Sequence, residues 1–273
     1  MTDRTLHLTK HHGLGNDFLV VFHPRDVDLP SLARRLCDRR RGIGADGLLV
    51  GESAPEHSAQ VAIFNADGSR AEMSGNGVRC FAQALAARRG DDLAVVDRQT
   101  LRTDAGTRVV TLRRTEDPNT LDVSVDMGAV EELDEPEGWS SIGVHEDRPV
   151  AHLGLGNPHA VVGVDSVDEV DLVAIGSLVP SVNVEIVEPG PERNAITMRV
   201  HERGAGITEA CGTGACAAAW AARRWGLASD VGGEIVVHMV GGTARVTLDQ
   251  PALGAVTLVG PATYIATIEV PIP

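Results

Sequence analysis

Two segments of the chain place a nucleophilic side chain and glycines at the start of a helical pattern. The first reads SGNGVRCFAQALAARRG from Ser74, and the second reads CGTGACAAAWAARRWG from Cys211. A helix N-terminus presents unpaired N–H groups and about half a positive charge, so it suits a carboxylate or phosphate. Glycines there allow a ligand to approach the backbone closely. A cysteine at such a position is expected to have a lowered pKa, which predicts a Cys211 thiolate near neutral pH.

The two segments also indicate an internal duplication. When Ser74 is aligned with Cys211, the glycines that follow coincide, and both patterns end in an Arg-Arg pair before a glycine. The separation is 211 − 74 = 137 residues in a chain of 273. Helices that are alanine-rich on most faces are typical of buried helices. We therefore predict an α/β (α+β) protein of two similar domains, each a curved mixed β-sheet wrapped around a central buried helix.

Strand patterns outnumber helical ones in the rest of the chain. Short β-branched runs bounded by Gly, Pro, Asn or Asp predict strands, and the polar segment RRTEDPNT predicts a domain boundary. The expected domains are 1–118 plus 263–273, and 119–262. The predicted helices are 29–40, 76–89 and 213–225. The predicted strands are 6–9, 18–22, 48–51, 60–64, 93–96, 108–112, 121–125, 161–164, 182–187, 196–200, 234–240, 243–248, 255–259 and 264–270.

Composition argues against several functional classes. The 24 Lys+Arg against 38 Asp+Glu give a net charge of −14, the opposite of the basic footprint of a nucleic-acid binder. No apolar run approaches the ~20 residues of a transmembrane helix, and the polar N-terminus predicts no signal peptide. Lys10 is the only lysine and has no supporting motif, which argues against a pyridoxal-phosphate enzyme and a phosphate-binding loop. We therefore expect a cytoplasmic protein without a membrane or nucleic-acid partner.

The cysteines and histidines do not form a recognisable metal-binding pattern. Cys211 and Cys216 have C-x4-C spacing, without the second pair or neighbouring histidine of a zinc site. His11 and His12 are adjacent, so they lie on opposite faces of a strand. Cys80 and Cys216 fall inside helical patterns and are predicted to be small buried side chains. The sequence therefore predicts no metal site, and reduced cysteines in a chain without a secretion signal.

Five polar clusters follow predicted strands. Each of them alone is ordinary turn chemistry. Together they supply amide, imidazole, guanidinium and carboxylate groups, which suit a small zwitterionic substrate. The clusters are GLGND (13–17), FNADGS (64–69), GNPHAV (156–161), VNVE (182–185) and HERGAG (201–206).

The order of these motifs resembles that of the diaminopimelate epimerases, which are cofactor-independent amino-acid epimerases. The resemblance covers the whole chain and rests on GLGNDF, RGIGADGLL, FNADGS with GNGVRCFA, GNPHAV, VNVEIV, and ERGAG with ACGTGACAAA. It implies interconversion of LL- and meso-diaminopimelate in lysine and peptidoglycan biosynthesis. The α-proton would be removed and returned by two thiols, without pyridoxal phosphate or metal, in an enzyme that is commonly a homodimer.

The resemblance also assigns roles to individual residues. Ser74 and Cys211 occupy the two catalytic cysteine positions, which serve opposite faces of the α-carbon, and His159 and Glu202 assist around them. Backbone N–H groups would hold the reactive carboxylate at Gly75, Asn76, Gly212 and Thr213. The residues matching the family's other substrate contacts are Asn16, Asn65, Asn157, Asn183, Glu202 and Arg203. The distal end of the substrate would be read by Asn65, Asn157, Asn183 and Arg203, where a bidentate arginine suits a carboxylate.

The chain departs from the family pattern at the first catalytic position. The family has C-G-N-G where this chain has S-G-N-G from Ser74. A serine hydroxyl is far less acidic than a thiol and needs an adjacent base, so we expect impaired epimerisation. Ser74 is either an introduced cysteine-to-serine change, which the other matches favour, or a natural residue of a Ser/Cys pair. A smaller departure is Ile207, where the family usually has glutamate.

Two alternative functions remain open from the sequence. The first is a related amino-acid racemase, or a hydroxyproline-type dehydratase, of the same fold. A dehydratase needs one strong base for the α-proton and an acid for the leaving hydroxyl, which a Ser/Cys pair suits. The second is a non-catalytic amino-acid-binding protein.

Overall fold

A computed structural model describes residues 4–53, 58–94, 97–229, 232–250 and 255–272. Contacts between Cα atoms divide the chain into two compact units, Met1–Val125 with Gly260–Pro273, and Asp126–Val259. Both divisions lie inside long strands rather than in the polar loop 113–120 that marks the boundary in the sequence. The chain therefore passes from one unit to the other along continuous strands.

The first unit is a mixed sheet with one buried helix. Its parallel pairs are β2 with β3 and β4 with β6, and its other neighbouring pairs are antiparallel. Its elements are β1 (Arg4–Gly13), β2 (Asn16–Phe22), α1 (Leu29–Cys37), β3 (Gly47–Ser53), β4 (Ser58–Asn65), β5 (Arg70–Ala71), α2 (Gly75–Arg89), β6 (Arg98–Thr103), β7 (Gly106–Arg114) and the first part of β8 (Thr120–Ala129).

The second unit repeats this connectivity. Strands β11 and β12 are parallel, as are β13 and β15, and the intervening pairs are antiparallel as in the first unit. Its elements are β9 (Glu131–Glu132), β10 (Val150–Gly154), β11 (Pro158–Gly163), α3 (Leu172–Leu178), β12 (Asn183–Pro189), β13 (Ala195–Glu202), β14 (Gly206–Thr208), α4 (Gly212–Trp225), β15 (Glu234–Met239), β16 (Gly242–Gln250) and the first part of β17 (Ala255–Ile272), with 3-10 turns at Trp139–Ser141 and Val167–Glu169. The predicted fold of two similar sheet-and-helix units is confirmed.

The sheet of each unit wraps around a helix that is buried from its first turn. Helix α2 contacts β1, β2, β3, β6 and β7, and α4 contacts β10 to β13, β15 and β16. Both helices are rich in alanine, which lets strands approach them from several sides. Each helix ends in an αL glycine, Gly90 (φ 69°) or Gly226 (φ 73°), which is why a glycine follows the last turn of both helical patterns.

Four predicted elements differ from the observed ones. Helix α1 ends at Cys37 rather than at residue 40, because the Asp38 carboxylate accepts from the backbone N–H groups of Arg40 and Arg41 and turns the chain. The strands predicted at 255–259 and 264–270 form one continuous strand, β17. The predicted strand 93–96 is a turn at Leu93 and Ala94, and its remainder lies outside the described residues.

The continuity of β17 follows from a buried arginine. Arg79 on α2 has no exposed surface, and its Nε donates to the carbonyl of Pro261 at 3.2 Å. A Cβ on Gly260 would lie 3.2 Å from the Arg79 Cζ, so this position needs the small glycine. The Gly-Pro pair is therefore a strand segment packed on Arg79 rather than a turn.

None of the helices in the described part of the chain is long and apolar enough to cross a membrane.

Candidate active site

The two helix starts singled out in the sequence have the same capping geometry. Ser74 and Cys211 are the N-cap residues of α2 and α4, each with extended backbone angles. Ser74 Oγ accepts from the N–H of Gly77 at 3.0 Å, and Cys211 Sγ accepts from the N–H of Gly214 at 3.3 Å. Each side chain therefore lies at the positive end of a helix, where a negative charge is stabilised.

In the first unit, a chain of hydrogen bonds holds two predicted substrate contacts. Asn76 donates to Asn16 Oδ1 at 3.2 Å, and Asn16 in turn donates to Asp46 Oδ2 at 2.8 Å. Arg79 donates to Asn76 Oδ1 at 2.8 Å. The structure thus brings Asn16 and Asn76 together with fixed amide orientations. The third predicted contact in this unit, Asn65, is exposed and donates to Ser69 Oγ at 3.0 Å.

In the second unit, the predicted residues meet at one edge of the sheet. Asn157 and Asn183 lie at the starts of the parallel strands β11 and β12, and Glu202 ends the antiparallel β13. In a sheet, the first residues of two parallel strands lie at the same edge as the last residue of a neighbouring antiparallel strand. Helix α4 contacts all three strands.

Specific hydrogen bonds order this edge. His159 Nε2 lies 2.9 Å from Asn157 Oδ1. Asn183 Oδ1 accepts from the backbone N–H of Arg203 at 2.8 Å, which fixes the turn after β13. The second unit therefore brings together His159 with Asn157, and Asn183 with Arg203.

The predicted lowering of the Cys211 pKa is wrong. Burial raises the pKa of this thiol well above its usual value, and the nearby carboxyls of Glu202 and Glu185 raise it further. The hydroxyl of Thr213, 3.5 Å from the sulfur, and the N–H of Gly214 act in the opposite direction but are outweighed. Cys211 is therefore a thiol in this state, and it becomes a base only by giving up its proton to a neighbour.

Glu202 is placed to take that proton. Its side chain is half-buried, and the loss of solvent around the carboxyl is the main cause that raises its pKa. Hydrogen bonds from the Thr208 hydroxyl, at 2.5 Å, and from the Cys211 thiol oppose this rise. A half-buried carboxyl with a raised pKa next to a thiol is an arrangement typical of acid/base sites.

Glu185 belongs to this cluster but is absent from the predicted site residues. Its Oε1 lies 2.7 Å from His159 Nδ1, and both side chains have no exposed surface. The sequence does contain a signal, because Glu185 interrupts an apolar strand and a buried acid is rare unless it is paired. Among the described residues, no group of three His, Cys, Asp or Glu side chains is arranged to hold a metal ion.

Gly214 is required by the close approach of Glu185 to α4. A Cβ on Gly214 would lie 2.5 Å from Glu185 Oε1, whereas a Cβ on the corresponding Gly77 would meet Leu49 Cδ2 at 3.3 Å. We expect Gly214→Ala to lower the free energy of unfolding by about 1–3 kcal/mol relative to Gly77→Ala. Urea denaturation of both variants measures this difference. Equal stabilities would show that Glu185 moves away at no cost.

The chain is similar throughout its length to proteins of one family. The family model described as diaminopimelate epimerase matches residues 8–133 and 152–265. The diaminopimelate epimerase of Moorella thermoacetica is 36% identical over 98% of this chain and 100% of the relative. That of Neisseria meningitidis is 37% identical over 94% of this chain and 95% of the relative. That of Synechocystis is 39% identical over 80% and 83%.

Solved structures with low sequence identity share the fold. A phenazine biosynthesis protein from Bacillus anthracis has a TM-score of 0.74 at 14% identity, covering 98% of this chain and 100% of that one. A hydroxyproline epimerase from Agrobacterium vitis has a TM-score of 0.71 at 17% identity, covering 98% and 93%. At this identity the likeness shows the fold alone.

Proposed function

Because the chain belongs to the diaminopimelate epimerase family, and is thus an isomerase by class, we propose that it interconverts LL- and meso-diaminopimelate through proton exchange at Cys211. The observation that carries the proposal is the position of Cys211. Its sulfur caps α4 and lies beside the half-buried carboxyl of Glu202. The helix N-terminus stabilises a thiolate, and Glu202 accepts the proton that the thiol must lose.

The neighbouring groups fit a bound amino acid. The backbone N–H groups that begin α2 and α4, at Gly75, Asn76, Gly212 and Thr213, suit the carboxylate next to the reacting carbon. That carboxylate gains electron density when the α-proton leaves, so donors fixed in advance lower the barrier. The amides of Asn65, Asn157 and Asn183, with Arg203, suit the ammonium and carboxylate of the distal end, and the amide of Asn16 is a further substrate contact.

Ser74 limits the rate in this proposal. In its own unit, its hydroxyl accepts one hydrogen bond, from Gly77, and the apolar Leu49 lies beside that turn. A hydroxyl without an adjacent base does not remove the α-proton of an amino acid at a useful rate near neutral pH. Cys211 thus serves one face of the α-carbon, and the Ser74 position, which serves the other face, is impaired.

A substrate comparison tests the assignment. We expect the chain with Ser74→Cys to convert LL-diaminopimelate to the meso form and to leave L-proline and trans-4-hydroxy-L-proline unchanged. Chiral chromatography of the products measures both reactions. Reaction of the proline-type substrates with no reaction of diaminopimelate would support a racemase or dehydratase instead. Binding of diaminopimelate without any reaction would support a non-catalytic binder.

We also propose that the protein is cytoplasmic and a homodimer. The four cysteines Cys37, Cys80, Cys211 and Cys216 are buried and free of disulfides, which suits a reducing compartment. The homodimer is proposed because members of this family commonly form homodimers. Light scattering coupled to size-exclusion chromatography measures the oligomeric state.

A further inference from the structure

Glu185 and His159 form a buried pair that the proposed chemistry leaves unexplained. They lie on the adjacent parallel strands β11 and β12, with the carboxylate Oε1 2.7 Å from the imidazole Nδ1. The second carboxylate oxygen, Oε2, is buried and has no hydrogen-bond partner among the described residues. An acid in this position costs stability compared with an apolar residue of similar size, so packing alone does not account for it.

The internal duplication shows which side chains occupy the positions of His159 and Glu185 in the first unit. The GLGN motif occurs at 13–16 and again at 154–157, and the strands that follow have equivalent pairings, Phe18 with Gly47 and His159 with Asn183. His159 therefore corresponds to Phe18, and Glu185 corresponds to Leu49. The same fold is built in the first unit with two apolar side chains, both buried.

The difference between the units lies beside the N-cap residues. Leu49 lies against the first turn of α2, which Ser74 caps, and Glu185 lies against the first turn of α4, which Cys211 caps. The N-cap thiol of Cys211 thus has an ionisable pair beside it, whereas the N-cap hydroxyl of Ser74 has apolar side chains at the equivalent positions. The pair is a feature of the Cys211 side only.

We infer that Glu185 is a positioning residue that keeps a proton on Nδ1 of His159 and thereby makes Nε2 the nitrogen that gains and loses protons. This inference rests on the proposed function, since it concerns the proton transfer between Cys211 and the groups around it. The carboxylate can only accept, so Nδ1 remains a donor whether the ring is neutral or charged. The proton that enters or leaves the ring is then the one on Nε2. When it leaves, the electron pair of the broken N–H bond remains on Nε2 as a lone pair.

Asn157 is suited to both states of Nε2. Its Oδ1, 2.9 Å away, accepts from Nε2–H of the charged ring, and its amide N–H can donate to the bare Nε2 of the neutral ring. The other ionisable groups around the pair are Glu202 from β13 and Cys211 from α4. Cys211 carries the proton that must leave when the thiol becomes a thiolate, and Glu202 is the carboxyl beside it that can accept this proton.

Nitrogen NMR of the histidine rings tests the inference on the whole chain, with no need for turnover. The chain is labelled with ¹⁵N-histidine, and His159→Gln identifies the signals of this ring. Between pH 5 and pH 9 we expect Nδ1 of His159 to keep the shift of a protonated nitrogen. A neutral ring with a bare Nδ1 would overturn the inference and would leave the epimerase assignment untouched.

A pair of isosteric variants tests the consequence for catalysis. Glu185→Gln removes the carboxylate that faces His159, and Glu188→Gln removes one on the same strand, whose Oε2 accepts from the backbone of Val167. In the Ser74→Cys chain, we expect Glu185→Gln to lower kcat at least about tenfold. KM should be little changed, because Glu185 acts through His159. The pH profile of kcat should also change, because removal of the Glu185 charge lowers the pKa of the Cys211 thiol.

The Glu188→Gln variant is the control for these effects. Glu188→Gln should leave kcat, KM and the pH profile as they are. If Glu185→Gln folds, as judged by circular dichroism, and keeps both the parent pH profile and the Nδ1–H signal, the inference is wrong. If it does not fold, the ring spectrum of the unsubstituted chain alone decides.

Discussion

Replacing Ser74 by cysteine is expected to raise the rate of conversion of LL- to meso-diaminopimelate by at least about 10²-fold, the lower range of a general acid/base contribution. The new thiol would cap α2 as Cys211 caps α4, with the N–H of Gly77 donating to sulfur. A thiol ionises several pH units below a serine hydroxyl, so a thiolate becomes accessible at this position. A coupled assay of meso product measures the rate.

Ser74→Ala is the matched control for this substitution. If the hydroxyl takes no part in proton transfer, the alanine variant should be as slow as the parent chain. A large further loss with alanine would show that Ser74 relays protons. An unchanged rate with cysteine would show that position 74 does not limit turnover, and either result would contradict the proposed impairment.

Loss of the Cys211 sulfur is expected to have the opposite effect. In the unsubstituted chain, Cys211→Ala should lower the rate of α-proton exchange by about 10³-fold or more, because no other described group combines the α4 N-terminus with a neighbouring proton acceptor. Exchange is followed by NMR as loss of the α-proton signal in D2O.

Cys216→Ala provides the comparison on the same helix. Cys216 is fully buried inside α4 and makes no contribution to the proposed chemistry. We expect this variant to lose some stability and to keep exchange within about threefold of its parent. Equal losses for Cys211→Ala and Cys216→Ala would indicate damage to the helix rather than removal of a base.

Local patterns in the sequence were sufficient for the architecture. The two capped, alanine-rich helices and the duplication they reveal depend on residues close together in the chain, and they appear in the structure with the predicted starts within one residue. The predicted separation of strands 255–259 and 264–270 was wrong, because the packing of Gly260 against Arg79 is a contact between residues far apart in sequence. Helix α3 has only seven residues, too few for a clear periodic signal.

The electrostatics of the site could not be predicted in the same way. A helix N-terminus alone predicts a lowered pKa for Cys211, but the structure buries the thiol and places the carboxyls of Glu202 and Glu185 near it. These neighbours depend on the register of β11, β12 and β13. The pairing of Glu185 with His159 likewise requires the parallel register across a crossover, which no local pattern specifies.

The most direct test of the account follows deuterium in the unsubstituted chain. LL- and meso-diaminopimelate are incubated separately with it in D2O, and α-deuterium is measured by mass spectrometry. We predict deuterium in only one of the two isomers, without inversion, because Cys211 removes and returns protons on one face while Ser74 cannot serve the other. Deuterium entering both isomers at similar rates, or neither, would contradict the claim that Cys211 is the one working acid/base position of this chain.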